Sequence, residues 1–180
     1  VRLEDIDSPR MQAGAADGIL RTLERYQLLW DGDVWVQSHR LERYQQVLDL
    51  LQQQQLTYGC NCNRSRIQSL PQGYDGCCRD KQLTESMLAW RLKAPATTTS
   101  FTDLLAGEVH IPAVLAAEDY ILKRRDGLFA YQLVVVVDDL DQGITEVVRG
   151  ADLIDLTTRQ QALFQLLGAT APAYLHLPLA

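Results

Sequence analysis

Four cysteines, Cys60, Cys62, Cys77 and Cys78, fall within nineteen residues of a 180-residue chain. Near-adjacent cysteines make poor disulfide partners, because the bridge demands a particular separation and torsion. A secreted scaffold would also spread its cysteines through the fold. A Cys-x-Cys pair with a further cysteine sixteen residues on suits a metal knuckle in a reducing compartment. Zinc takes four ligands in a tetrahedron, and only three of these thiols are well spaced for it. The loop between them holds no histidine, so the fourth ligand falls to the phenolate of Tyr74, the carboxylate of Asp75 or the thiol of Cys77. On spacing alone, free structural thiols and a redox pair stand beside the zinc reading.

Charge marks a second place for chemistry. Arg2-Leu3-Glu4-Asp5-Ile6-Asp7 is densely charged where a strand is expected to end. Open α/β sheets bind ligands beyond the carboxyl ends of their strands, so Glu4 and Asp5 are placed to meet a cationic group. Acids here would equally favour the positive end of a helix starting at Ser8. Another strand is expected to end in Glu146-Val147-Val148-Arg149-Gly150-Ala151-Asp152. Arg149 could grip a carboxylate there with two parallel hydrogen bonds, or pair at the surface with Glu146 or Asp152. An acid at one strand end and an arginine at another suit an amino acid, which carries both charges.

The elements that must position these residues follow from spacing. Ser8-Pro9 is a helix-start signal, and Ala15, Ile19, Leu20, Leu23 and Tyr26 repeat at helical intervals, predicting a helix over 9–28. Asp31-Gly32-Asp33 turns the chain into a short strand, Val34 to Val36. Ser38 reads as the cap of a second helix with the stripe Leu41, Tyr44, Val47, Leu48 and Leu51. Strand, helix, strand, helix predicts an α/β fold with a parallel sheet and crossover helices. Between residues 60 and 118 the texture changes to short antiparallel strands, Met87 to Leu92 and Gly107 to Ile111, read as an insertion. Three parts result: residues 1–59 and 119–180 form a sheet domain, and 60–118 lie within it.

The last part holds a strand at Tyr120 to Arg125 with a tight turn at Asp126-Gly127. Leu128 to Val137 fits strand and helix alike. A strand at Ile144 to Val148 follows, then a helix from a Thr157 cap to Leu167, closed by Gly168, and a strand at Tyr174 to Leu177. Trp30, Trp35 and Trp90 read as core and His39 as surface, while His110 falls on an insertion strand and His176 on the last strand.

Composition narrows the classes. With 47% apolar and 22% charged residues the chain is globular, and a net charge of −6 excludes coating nucleic acid by bulk positive charge. The longest apolar run, Leu133 to Val137, is far short of the ~20 residues a membrane span requires. No leader is visible after Val1, and a cytoplasmic location is expected. Both ends look cut, as in the middle of a longer protein.

Taken together, Arg2-Leu3-Glu4-Asp5, Cys60-Asn61-Cys62 with Tyr74 and Cys78, Tyr131 to Asp139, and Val148-Arg149-Gly150-Ala151-Asp152-Leu153 resemble the glutamyl-tRNA synthetase-like family, from one end of the chain to the other. Two departures point to one branch. Val135 stands where true glutamyl-tRNA synthetases typically carry Asn, and Arg-Gly-Ala-Asp-Leu replaces their usual Arg-Gly-Glu-Asp-His. The branch so implied transfers glutamate to queuosine at the wobble position of tRNA(Asp).

The resemblance implies a class I synthetase core: a Rossmann-like parallel sheet with a small, strand-rich, zinc-containing insertion. It makes Tyr131 to Asp139 a helix despite its valines. It places Tyr74, twelve residues after Cys62, and Cys78, four further on, with Cys60 and Cys62 around one structural zinc ion, leaving Cys77 as a spare thiol. It implies that Glu4 holds the α-ammonium of L-glutamate, and that Tyr131 and Arg149 hold its side-chain carboxylate. ATP, with Mg²⁺, would form a glutamyl-adenylate, which a hydroxyl of the queuosine cyclopentenediol then attacks. The partners implied are glutamate, ATP and queuosine-bearing tRNA(Asp), with no membrane and no second copy of the chain. The family's His-Ile-Gly-His-type and Lys-Leu-Ser-Lys-type phosphate motifs are expected before Val1 and after Ala180. The 180 residues by themselves are therefore expected to be inactive and to hold no catalytic group. Two alternatives stand: a glutamyl-tRNA synthetase fragment that charges the acceptor end, and a non-catalytic, zinc-stabilised RNA-binding module using Arg64, Arg66, Arg79 and Lys123-Arg124-Arg125.

Overall fold

Left-handed backbone at Gly14 and Gln27, with φ of 78° and 57°, brackets the first helix, α1 (Ala15–Arg25). An α-helix cannot run through such residues, so α1 is shorter at both ends than the span 9–28 that the spacing predicts. It buries none of its residues. The computed structural model describes residues 1–7, 11–71, 73–95 and 99–179, so the Ser8-Pro9 signal lies outside the described residues. The chain forms two compact units, Val1–Gln46 and Val47–Ala180.

In the first unit α1 links two parallel strands, β1 (Arg2–Leu3) and β2 (Trp35–Val36), with Arg2 opposite Trp35 and Leu3 opposite Val36. Ser38 does not cap the next helix, α2 (Leu41–Gln53). A 3-10 turn, Gln37–Arg40, precedes it, and Ser38 gives its N–H and its hydroxyl to the Asp5 carboxylate at 2.8 and 2.6 Å. Asp5 thus satisfies an N–H that a helical turn leaves open. Of the predicted stripe of α2, Tyr44, Val47, Leu48 and Leu51 are buried, whereas Leu41 is exposed.

The second unit holds two sheets. β3 (Thr57–Cys60), β4 (Ala89–Leu92) and β7 (Ile121–Lys123) form an antiparallel sheet in the order β3-β4-β7. In the other, β5 (Ser100–Asp103) and β6 (Gly107–His110) form an antiparallel hairpin, β8 (Glu146–Gly150) and β9 (Ala173–Leu177) run parallel, and β5 joins β9 in parallel where Asp103 faces Tyr174. The sheets are therefore mixed rather than uniformly parallel. Strands joined by a short turn can only pair antiparallel, whereas a helical crossover allows parallel pairing.

Between these strands lie the short helices α3 (Arg64–Gln68) and α4 (Ala113–Ala116), then α5 (Tyr131–Asp141) and α6 (Thr157–Leu166). The run Leu128 to Val137 resolves into α5, with Gln132 to Asp139 all buried. Burial on every side lets β-branched residues pack in a helix, and this outweighs their strand preference. Thr157 opens α6 but does not cap it; the 3-10 turn Ala151–Leu156 leads in, and the Thr157 hydroxyl is used elsewhere. Trp30, Trp35 and Trp90 are only half-buried, and His39 is exposed. Among the described residues no helix is long and apolar enough to cross a membrane.

Candidate functional site

Arg149 lies on β8, directly opposite His176 on the neighbouring parallel strand β9. Its guanidinium turns inward. Nε donates to His176 Nε2 at 3.0 Å, Nη1 to Gln160 Oε1 at 2.7 Å, and Nη2 to Thr157 Oγ1 at 2.9 Å and to the Leu153 carbonyl at 3.3 Å. The surface pairing with Glu146 or Asp152 does not form. Every one of these four partners is uncharged, so among the described residues no carboxylate neutralises Arg149 directly. A half-buried cation without a counter-charge attracts an anionic ligand. A new two-pronged grip would have to displace some of these bonds, since all three nitrogens are engaged.

Behind the arginine lies a buried acid. His176 Nδ1 meets Asp103 Oδ2 at 2.6 Å, and Asp103 Oδ1 accepts the N–H groups of Leu105 and Ala106 at 3.0 and 2.9 Å. Burial alone would raise the Asp103 carboxyl; the N–H of Ala106, the His176 ring and the N–H of Leu105 outweigh it and hold the group down at about 2. The Tyr174 ring stacks on His176 at 6.1 Å and lies 5.1 Å from the Arg149 guanidinium. Burial pushes the Tyr174 phenol up; Arg149 opposes this, and the charges of Asp139 and Tyr131 add to it. Tyr131 opens α5 and is partly exposed.

Glu4 belongs to the other unit, just past β1. It is exposed, is held by Arg2 at 3.2 Å from both Nε and Nη2, and lines a cleft of about 300 Å³ with Leu3, Asp5, Met11, Ala15 and Ile19. The pair is exposed at Glu4 and largely covered at Arg2, whose side chain is 17% exposed. Asp5, by contrast, is committed to Ser38.

The thiols converge. The sulfurs of Cys60, Cys62 and Cys78 all lie within 4.8 Å of one another. The Cys60 thiol donates to the Tyr74 oxygen at 3.5 Å, and the Cys78 N–H donates to the same oxygen at 3.0 Å. Cys77 lies 3.4 Å from Cys62 and 3.7 Å from Cys78. All four cysteines are free thiols. Burial pushes the Cys62 thiol up to about 12, aided by hydrogen bonds with Cys77, Cys78 and Cys60. Burial works the same way on Cys78, but hydrogen bonds involving Tyr74, Asn61, Cys62 and Cys77 overcome it and bring this thiol down to about 6. Of these two thiols, Cys78 is the more readily deprotonated, the state in which a cysteine ligates a metal ion. Asp75, the other oxygen donor considered from spacing, is bound by Arg66 at 2.6 Å. Three clustered thiols with a phenol oxygen beside them fit a tetrahedral zinc ion.

A family model described as "tRNA synthetases class I (E and Q), catalytic domain" matches residues 1–180. The chain belongs to this family. Relatives named glutamyl-Q tRNA(Asp) synthetase are 58% identical in Serratia proteamaculans and 54% identical in Escherichia coli K12, over the whole of this chain. The chain spans 59% and 58% of those two proteins, little more than half their length. A glutamate tRNA ligase from Elizabethkingia meningosepticum, crystallised with its amino acid, superposes with a TM-score of 0.85 over 99% of this chain and 42% of its own, at 21% identity. A glutamate-tRNA synthetase from Elizabethkingia anophelis matches equally well. At that identity the likeness establishes the class I synthetase catalytic fold, with its mixed sheets.

Sequence reasoning places Arg149 at a strand end but misses what holds it: Asp103, Thr157 as a side-chain partner, Gln160, and the position of His176 between arginine and acid. In β5, Phe101 and Asp103 are buried while Thr102 between them is exposed, so an acid occupies the inward face of a strand. Such a residue requires a partner.

Proposed function

We propose that the protein containing this chain activates L-glutamate with ATP and transfers the glutamyl group to queuosine at the wobble position of tRNA(Asp). The observation that carries this reading is Arg149, fixed by four uncharged groups and left, among the described residues, without a counter-ion of its own. Such a cation suits a carboxylate that arrives as a ligand. Relatives identical to the chain at more than half of its own residues bear the name glutamyl-Q tRNA(Asp) synthetase, which supports both the amino acid and the tRNA.

In this reading Arg149 and the Tyr131 hydroxyl hold the glutamate side-chain carboxylate, and Glu4 holds the α-ammonium. That leaves the α-carboxylate free to attack the α-phosphate of Mg²⁺-bound ATP. Pyrophosphate departs and a glutamyl-adenylate forms; a queuosine hydroxyl then takes the glutamyl group and AMP leaves. Such a transfer depends on positioning of this kind together with neutralisation of the charge that develops on the phosphate. Residues 1–59 and 119–180 form the Rossmann-like catalytic domain, and 60–118 its zinc-containing insertion. Zinc, when bound by Cys60, Cys62, Tyr74 and Cys78, is structural, since four protein ligands leave no position open for water. The reaction is cytoplasmic and needs neither a membrane nor a second copy of the chain.

The test uses the full-length polypeptide with ATP, labelled glutamate and purified tRNAs. Label is expected on tRNA(Asp) that carries queuosine and not on tRNA(Asp) that lacks it. Label on tRNA(Glu) would instead indicate acceptor-end charging. Tight RNA binding without any glutamate-dependent exchange between pyrophosphate and ATP would indicate a non-catalytic module.

A further inference from the structure

A chain of three groups crosses the four-stranded sheet from β5 to β8. Asp103 ends β5, His176 lies on β9 and Arg149 on β8, and the registers that bring them together pair Asp103 with Tyr174 and Arg149 with His176. The side chains of Asp103 and His176 are almost wholly buried. Hydrogen bonding admits only one protonation pattern. Arg149 Nε–H points at His176 Nε2 from 3.0 Å, so that nitrogen must be bare. Thr157 Oγ1, 3.3 Å from the same nitrogen, adds a hydroxyl that can donate to it. The proton of a neutral ring then lies on Nδ1, where Asp103 Oδ2 accepts it at 2.6 Å. Oδ1 of the acid is occupied by the Leu105 and Ala106 N–H groups, with the His176 N–H at 3.4 Å, so the carboxylate cannot turn away. The imidazole plane is fixed by the stack on Tyr174 and by the edge of Phe101 at 6.0 Å.

We propose that Asp103 and His176 are positioning residues for the amino-acid substrate: Asp103 fixes the Nδ1–H tautomer of His176, and the bare Nε2 orients the guanidinium of Arg149 toward a carboxylate. The inference rests on the reading that Arg149 binds glutamate. The arrangement has a physical advantage over a direct Asp–Arg pair. A neutral ring between them transmits direction, while the acid stays too far from the guanidinium to neutralise it, so the arginine keeps its charge for the ligand.

The telling variant is Asp103→Asn. Its amide oxygen remains with the Leu105 and Ala106 N–H groups, so its NH₂ must face Nδ1. The ring then moves its proton to Nε2, which meets Arg149 Nε–H donor to donor. In the full-length polypeptide, pyrophosphate–ATP exchange should show the KM for glutamate rising about ten- to a hundredfold, the effect of one hydrogen bond to a charged group. The KM for ATP should stay within about twofold. His176→Phe keeps the ring stack and removes the acceptor, and should have the same effect if Asp103→Asn does not fold. Nitrogen-15 spectra of wild type need no altered fold: the His176 signal, identified by its loss in His176→Phe, should show a protonated Nδ1 and a bare Nε2 at neutral pH. An Nε2–H or doubly protonated ring in wild type overturns the proposal, as does an unchanged KM for glutamate in a folded variant. No glutamate-dependent exchange in wild type would overturn the substrate reading instead, and the spectra would still decide the tautomer.

Discussion

An arginine that must receive a substrate faces two opposed demands: it has to be held still, and it must not be neutralised by what holds it. At Arg149 the first demand is met by a ring nitrogen, an amide, a hydroxyl and a carbonyl, none of which carries charge. The acid behind it, Asp103, acts through His176. Its depressed carboxyl has a measurable consequence. A group whose pKa is lower folded than unfolded adds stability that is present above its unfolded value and is lost as pH falls through its folded value. For Asp103 that window runs from about 4 down to about 2. The urea midpoint of wild type should therefore fall more steeply across this window than that of Asp103→Asn, which cannot titrate there; equal slopes would show that Asp103 does not carry the effect. Arg149 itself was legible in the sequence, because a cation at a strand end is a local pattern. Its supports were not. His176 stands 27 residues after Arg149 and 73 residues after Asp103, and only the sheet brings them together.

Elements show the same division between local and distant information. The stripe of α2 and the turn at Gly127 could be read from spacing because their signals lie within a few residues. Pairing could not: β3 meets β4 across a gap of nearly thirty residues, and β5 meets β9 across seventy. The valines of α5 carry a local preference that points to strand, and burial overrules it, so only the family resemblance gave the helix in advance. Gly59 on β3 is a case where the element depends on one missing atom. A Cβ there would collide with the Leu88 side chain, which is itself buried. Gly59→Ala should therefore cost about 1–3 kcal/mol in urea unfolding, the usual penalty for overpacking. In a Leu88→Ala background, where the collision partner is gone, the same change should cost much less. Equal costs in the two backgrounds would place the role of Gly59 in backbone conformation instead.

At the scale of the whole molecule, what matters is how far the thiol knuckle is tied to the residues proposed to hold glutamate. It is fastened to its surroundings by ion pairs. The Glu118 carboxylate accepts the Tyr74 N–H at 2.9 Å and holds Arg159 of α6 at 2.8 Å, while Arg79, next to Cys78, holds buried Asp119 at 2.7 Å. Asp119 also accepts the Tyr58 hydroxyl at 2.6 Å from β3. None of these links bonds to Arg149, His176 or Asp103, which are anchored on β8, β9 and β5; the nearest, Arg159, lies on α6 between Thr157 and Gln160, whose side chains hold Arg149. Removing zinc should therefore loosen one region before the other. In the full-length polypeptide, a chelator, or the double substitution Cys60→Ser with Cys62→Ser, should strip hydrogen-exchange protection from residues 58–62 and 74–79 by about tenfold or more, the loss of about 1.4 kcal/mol of local stability. Protection in β8 and β9, and the KM for glutamate, should hold until more of the protein unfolds. Atomic emission should find about one zinc per chain in wild type and none in the double variant. Equal metal content in both would remove these thiols from any metal site. A loss of protection spread evenly over the knuckle and the β8–β9 pair would mean that the ion supports the whole unit as one cooperative body.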